Sequence, residues 1–334
     1  MSDFAVEALD IVRTFKNGEV RALDGVTLQV PRGEVFGLLG PNGSGKTTMV
    51  RILSTILSPT SGVALVNGID VVKSPQAVRR SIGLAGQNAT VDENLTGFEN
   101  LRMIGLLNHL DKSFVVKQSR ALLEQFGLSD AANRTVKTYS GGMRRRLDLG
   151  AALVANPPLL FLDEPTTGLD PQSRQDLWAI IEGLVENGVT VLLTTQYLEE
   201  ADRLCKQLVV LDHGRIIAEG TPQELKTGLG STVLSVTFAT TDDARRGAEL
   251  IRDVSSKPAN LEGTVVDLTV EHGPAQAADA LRRLDGAGIA LVGLTLREPS
   301  LDDVFLSLTG HKTEDVDPTN ADVPVGRRER KART

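Results

Sequence analysis

The chain of 334 residues has one cysteine, Cys205, so no internal disulfide framework is possible. Its four histidines, His109, His213, His272 and His311, are scattered and form no metal-ligand spacing. No apolar stretch approaches the roughly 20 residues needed to cross a bilayer. No charged-then-apolar signal opens the chain. These absences lead us to expect a cytosolic protein that meets a membrane only through a partner. A net charge of −7 argues against nucleic acid as the main partner. What is present is ordinary for a globular protein, with 41% hydrophobic and 24% charged residues. The length suffices for more than one core.

Against that background one segment stands out. Gly40-Pro41-Asn42-Gly43-Ser44-Gly45-Lys46-Thr47 fits G-x-x-x-x-G-K-[ST], a phosphate-binding loop. Glu34 to Leu39 reads as a short buried strand entering it, and Thr47 to Leu53 as a helix leaving it. The glycines let backbone N–H groups turn inward toward phosphate oxygens. The helix N-terminus adds about +0.5 of an elementary charge toward the anion. Lys46 can reach the β- and γ-phosphates, and the Thr47 hydroxyl suits Mg²⁺. Thr48 supports the α-phosphate or caps the helix.

A second segment supplies acids. Pro158-Leu159-Leu160-Phe161-Leu162-Asp163-Glu164 is an apolar run ending in two carboxylates. Such a run reads as a strand covered on both faces. The acids then fall at its carboxyl end, where α/β sheets bind ligands. Asp163 fits a Mg²⁺ carboxylate, and Glu164 is placed to orient or deprotonate an attacking water.

Taken in order, the motifs resemble the ATP-binding subunit of an ABC transporter over about residues 4–228. In that resemblance Phe15 stacks on adenine and Gly40 to Thr47 form Walker A. Gln87 is the Q-loop glutamine that touches Mg²⁺. Tyr139-Ser140-Gly141-Gly142-Met143 is the signature, with Ser140, Gly141 and Gly142 facing the nucleotide of a second copy. Leu159 to Asp163 form Walker B, followed by the catalytic Glu164. Gly168-Leu169-Asp170-Pro171 is the D-loop. The signature departs from the usual LSGGQ, but Ser140 and two glycines still present a hydroxyl and backbone donors at a helix start. Gln196 stands where a histidine is usual. Its amide can donate to the γ-phosphate but carries no proton that titrates near neutral pH. The base role therefore goes to Glu164 and phosphate sensing to Gln196.

The stretch Thr194-Thr195-Gln196-Tyr197-Leu198-Glu199-Glu200-Ala201-Asp202 resembles the daunorubicin/doxorubicin-resistance type of exporter ATPase. So do Tyr139 to Arg146 and Glu298-Pro299-Ser300-Leu301-Asp302-Asp303-Val304-Phe305. The resemblance implies an ATP- and Mg²⁺-dependent homodimeric motor at the cytoplasmic face of the cell membrane. Its partner would be a transmembrane permease exporting a drug or amphipathic lipid. The alternative is a soluble ABC ATPase gripping ribosomes or DNA. Against it stand a single ATPase unit and the lack of sustained heptads.

The expected fold is a P-loop α/β core of ABC ATPase type over residues 1–228, with a helical subdomain at about 88–150. A small α+β domain follows at 229–311, with strands at 232–238, 264–270 and 289–296 and helices at 242–253, 274–286 and 300–309. Residues 312–334 read as a disordered, basic-ended tail. The run Arg144-Arg145-Arg146 reads as a solvated helix face, the alternative being that part of it meets the opposing nucleotide.

Overall fold

The computed structural model describes residues 2–15, 18–86, 90–228, 232–255, 258–297 and 300–309. Gln87, Glu298, Pro299 and the tail from residue 312 lie outside the described residues. The chain opens with β1 (Phe4–Phe15), β2 (Val20–Pro31) and β3 (Val35–Leu39), then α1 (Lys46–Leu53), β4 (Ser61–Val66), β5 (Ile69–Asp70), α2 (Pro75–Arg80) and β6 (Ile82–Ala85). Three helices follow: α3 (Gly97–Leu107), α4 (Lys112–Gln125) and α5 (Gly141–Ala152). Alternation resumes with β7 (Leu159–Asp163), α6 (Pro171–Glu186), β8 (Thr190–Thr195), α7 (Leu198–Leu204), β9 (Gln207–Asp212), β10 (Arg215–Gly220) and α8 (Pro222–Thr227). The last set is β11 (Thr232–Phe238), α9 (Thr241–Ile251), β12 (Asn260–Glu262), β13 (Val265–Val270), α10 (Gly273–Gly286), β14 (Leu291–Arg297) and α11 (Leu301–Thr309).

The central sheet runs β10-β9-β3-β8-β7-β6, parallel except for β10 at its edge. Strands β3, β7 and β8 are buried at every residue, as unbroken apolar runs in a doubly covered sheet require. Alternate side chains part to opposite faces. Phe36, Leu38, Leu159, Phe161 and Leu192 pack with α1 and the antiparallel sheet β2-β1-β4-β5. Leu39, Leu160, Leu162, Val191 and Leu193 pack toward α5, α6 and α7. All the carboxyl ends of the parallel strands therefore open on one edge, between two layers.

The helical segment is fixed by its caps. Thr96 and Glu99 form a capping box at α3, Asp111 accepts from Ser113 and Phe114 N–H at α4, and Ser140 Oγ accepts from Met143 N–H at α5.

The C-terminal sheet is antiparallel, in the order β12-β13-β11-β14. Its succession βαββαβ is the split βαβ, ferredoxin-like arrangement. Leu234, Val236, Phe238, Val266 and Leu268 face α9 and α10 in a separate core. Helix α11 departs from that core. Its Leu301, Val304 and Phe305 join the apolar cluster of the central sheet, against α7 and α8. At its start Ser300 Oγ accepts from Asp303 N–H at 3.2 Å, and Asp303 accepts from Ser300 N–H at 2.8 Å. Arg297, at the end of β14, grips both Asp303 oxygens and reaches Asp267 at 2.9 Å. Burial pushes the Asp303 carboxyl upward, but Arg297 and the Ser300 donors win and hold it below its ordinary range.

Candidate functional site

Strand β3 ends at Leu39 and α1 begins at Lys46, so residues 40–45 must turn the chain sharply. Gly45 does this at φ 116°, where a Cβ would meet the Ala22 carbonyl oxygen at 2.6 Å, so only glycine fits. Lys46 is 3% exposed. Its Nζ donates to the carbonyls of Gly40 (2.7 Å) and Pro41 (3.0 Å) and lies 3.4 Å from Glu164 Oε1. Burial pulls Lys46 below the usual lysine range, opposed by the charges of Glu164 and Asp163. Beside it the Ser44 hydroxyl is buried without a hydrogen-bond partner. A cavity of about 220 Å³ opens here, lined by Ala22, Asn42, Gly43, Gly45, Lys46, Thr47, Thr48 and Glu164.

The acids meet this loop from the next strand but one. Asp163 ends β7 directly abreast of Thr194 on β8. Asp163 Oδ1 accepts from Thr194 Oγ1 at 2.5 Å and from Thr47 Oγ1 at 3.2 Å. Glu164 then turns the chain with φ 49°, a left-handed conformation uncommon for a side-chain-bearing residue. Its N–H is shared between the Thr194 carbonyl and hydroxyl, both at 3.1 Å. That turn carries the Glu164 carboxylate toward Lys46. Thr194 was not singled out from the sequence for this part. The available signal was a hydroxyl residue closing a strand that runs beside the acids.

Other expected residues stand apart from the cavity. Ser140 and Gly141 are exposed at the start of α5. Gly142 is buried, and a Cβ there would fall 2.6 Å from Ser173 Oγ, so α5 sits close on the start of α6. Asp170 caps α6, accepting from Ser173 Oγ (2.7 Å) and N–H (2.9 Å), and these bonds hold its carboxyl below the ordinary range. Gln196 is 6% exposed, one residue past β8. Phe15 ends β1 half-buried, with the Arg13 guanidinium 4.7 Å above its ring. It pairs with Val20, two residues short of the cavity wall at Ala22.

The arginine run needs correction. Arg144 does reach outward, to Glu93 at 3.0 Å. Arg146 donates to the Phe126 carbonyl at 3.2 Å. Arg145, however, is 8% exposed and points into the protein, because the carbonyls of Gly86, just past β6, and Pro165, in the turn after β7, converge on it. Glu200 on α7 is likewise buried, accepting from Trp178 Nε1 at 3.0 Å, and burial pushes its carboxyl up.

A strand, a glycine-turned loop with a buried lysine, and two acids on a nearby parallel strand define a P-loop nucleotide-binding ATPase. Comparison with known proteins sharpens this. Residues 23–167 match the ABC transporter family, and residues 220–309 match the C-terminal domain of DrrA1-3-like ATP-binding proteins. The chain is 48% identical over 321 residues to the daunorubicin/doxorubicin resistance ATP-binding protein DrrA of Streptomyces peucetius, covering 93% of this chain and 94% of that one. Among solved structures it resembles cbiO1 of Clostridium perfringens, part of the ABC transporter complex cbiONQ. There the TM-score is 0.62 at 26% identity, over 67% of this chain and 91% of that one. It also resembles the ATP-binding cassette MJ0796, solved as a dimer in a post-hydrolysis state with ADP and phosphate. That match has a TM-score of 0.60 at 27% identity, over 65% of this chain and 98% of that one. The chain belongs to the ATP-binding proteins of ABC transporters, in the daunorubicin/doxorubicin-resistance branch. It is an ATP-hydrolysing exporter subunit with an ABC cassette fold and a DrrA-like C-terminal domain. Among the described residues no helix is long and apolar enough to cross a membrane. Subunits of this kind generally work with a transmembrane permease.

Proposed function

We propose that two copies of this chain clamp two ATP molecules and drive a membrane permease that exports an amphipathic drug or lipid. The observation that carries the reading is a division of the motif residues. Lys46, Thr47, Asp163 and Glu164 converge within one chain, whereas Ser140, Gly141 and Asp170 face outward on helix starts away from that cavity. Outward N–H groups at a capped helix start suit an anion supplied by another molecule. The dimeric relative solved with ADP and phosphate supports that pairing. The resistance proteins to which the chain is similar support the drug class.

The site's chemistry fits the nucleotide. The unpartnered Ser44 hydroxyl and the buried Lys46 ammonium suit phosphate oxygens. The Thr47 hydroxyl and Asp163 carboxylate are hard oxygen donors held together, the type Mg²⁺ takes. When bound, the ion supplies charge neutralisation on the phosphates. Thr194 holds Asp163 and anchors the Glu164 backbone, which sets the Glu164 carboxylate to accept a proton from water. Gln196 senses the γ-phosphate, Phe15 supports adenine, and Pro41, Asn42, Gly43 and Thr48 complete the cradle. Gly142 backs the signature surface. Gln87 is proposed as a further Mg²⁺ contact from the sequence resemblance. We divide the chain at 228/229 and 311/312 and place it peripherally, at the cytoplasmic face of the membrane through its permease.

The test is to purify tagged Glu164→Gln protein with ATP from native membranes. A multi-spanning partner in stoichiometric amount supports the reading. Recovery only from the soluble fraction, with ribosomes or nucleic acid attached, overturns transport while leaving the ATP site intact.

A further inference from the structure

We infer that Arg145 and Asp148, one turn apart on α5, are positioning residues for ATP hydrolysis that tie the signature helix to the backbone carrying Glu164. The guanidinium of Arg145 donates from Nε to the Pro165 carbonyl at 2.6 Å, from Nη2 to the Glu164 carbonyl at 3.3 Å, and from Nη1 to the Gly86 carbonyl. Its Nη1 also lies 3.6 Å from Asp148 Oδ2. Asp148 is 1% exposed, and its other oxygen accepts from both the N–H and the hydroxyl of Thr90 at 2.7 Å. One ion pair therefore holds three separate pieces of chain: the end of β6, the segment at Thr90, and the turn after β7.

The chemistry explains why a charge is buried here. The left-handed turn at Glu164 brings the Glu164 and Pro165 carbonyls to one side, where the Arg145 guanidinium donates to both. A planar guanidinium with a fork of fixed donors can serve several of them at once, and a lysine ammonium cannot match that geometry. Burying a charge is costly, and a hydrophobic filling of the same space is often as stable. What the arginine adds is orientation. It links α5, whose N-cap is Ser140, to the residue placed to activate water. About 7–8 Å of helix separates Ser140 from Arg145 at 1.5 Å per residue. A shift of the signature end of α5 is thereby passed as a rigid displacement to the Glu164 turn.

The inference rests on Glu164 acting in hydrolysis, which Glu164→Gln tests separately by its own loss of turnover. The experiment compares full-length Arg145→Lys, Arg145→Met and Asp148→Asn proteins with wild type for ATP turnover, ATP affinity and melting temperature. We expect kcat to fall about 10- to 100-fold in the Arg145 variants. KM for Mg-ATP and the affinity for nucleotide should stay within about threefold, because Lys46 and the loop are untouched. Arg145→Lys, which keeps the charge but not the fork, should resemble Arg145→Met. If Arg145→Met does not fold, Arg145→Lys and Asp148→Asn carry the test. A folded Arg145→Lys protein with turnover within twofold of wild type overturns the inference. So does a loss of turnover matched by an equal loss of nucleotide affinity and of melting temperature, which is what a merely structural residue gives.

Discussion

Two sets of residues proposed to handle phosphate differ in what they touch. Lys46 pairs with Glu164 and Thr47 bonds Asp163, which ties the start of α1 to the end of β7 and the turn after it. Among the described residues the side chains of Ser140 and Asp170 bond into the first turns of their own helices, through Met143 and Ser173. The first set is a site that one chain assembles by itself. The second is a pair of capped helix starts, at α5 and α6. The difference teaches that binding of ATP and its hydrolysis place different demands on the protein. Under the proposed function, binding would draw mainly on the first set, and hydrolysis would need both.

Substitutions separate the two demands. The largest effect is expected from Glu164→Gln, which keeps the shape and removes the proposed base. Turnover should drop about 10²- to 10⁴-fold while a binding assay with labelled ATP shows affinity within a few fold of wild type. Next comes Gly141→Asp, which puts a negative charge where the account places the other copy's phosphates. Steady-state turnover should fall about 100-fold, yet equilibrium binding of ATP by isolated chains should persist. Loss of binding in step with turnover would merge the two sets and break the comparison.

A smaller effect is expected far from both. Asp303 has its carboxyl held below the ordinary value of 3.8, so its stabilising contribution is full above that value and is lost as pH falls through the lower folded one. Asp303→Asn should lower stability at neutral pH by about 1–3 kcal/mol and remove this acid-sensitive part. Denaturant melts at neutral pH and near pH 3 check it. The smallest effect is reserved for Gln196→His. Turnover should change by less than about tenfold while the pH–rate profile gains a step near the histidine range, roughly pH 6–7. An unchanged profile would remove Gln196 from phosphate sensing.

Much of the catalytic core was legible because its signals are local. Apolar runs such as Leu159–Leu162 read as strands buried on both faces, and the loop at 40–47 matches a phosphate-binding pattern. What escaped depends on distant partners. Arg145 sits in a run of three like charges that reads as solvated, and its burial follows from partners such as the carbonyls of Pro165 and Gly86, 20 and 59 residues away. Thr194 is one of many threonines until β8 is seen beside β7 in register. The edge strand β12 is three residues long and largely exposed, with no alternation to betray it. Helix α11 was read with the C-terminal unit. Its sequence gives an apolar face but not the neighbour, and the neighbour is α7 and α8 of the ATPase core.

The most direct test of the account is sedimentation velocity of the Glu164→Gln protein with and without Mg-ATP. The account predicts monomers without nucleotide and a stable dimer with it, because it assigns the exposed signature starts to a phosphate held by a second copy. A protein that binds Mg-ATP at full occupancy and still sediments as a monomer at every concentration contradicts it.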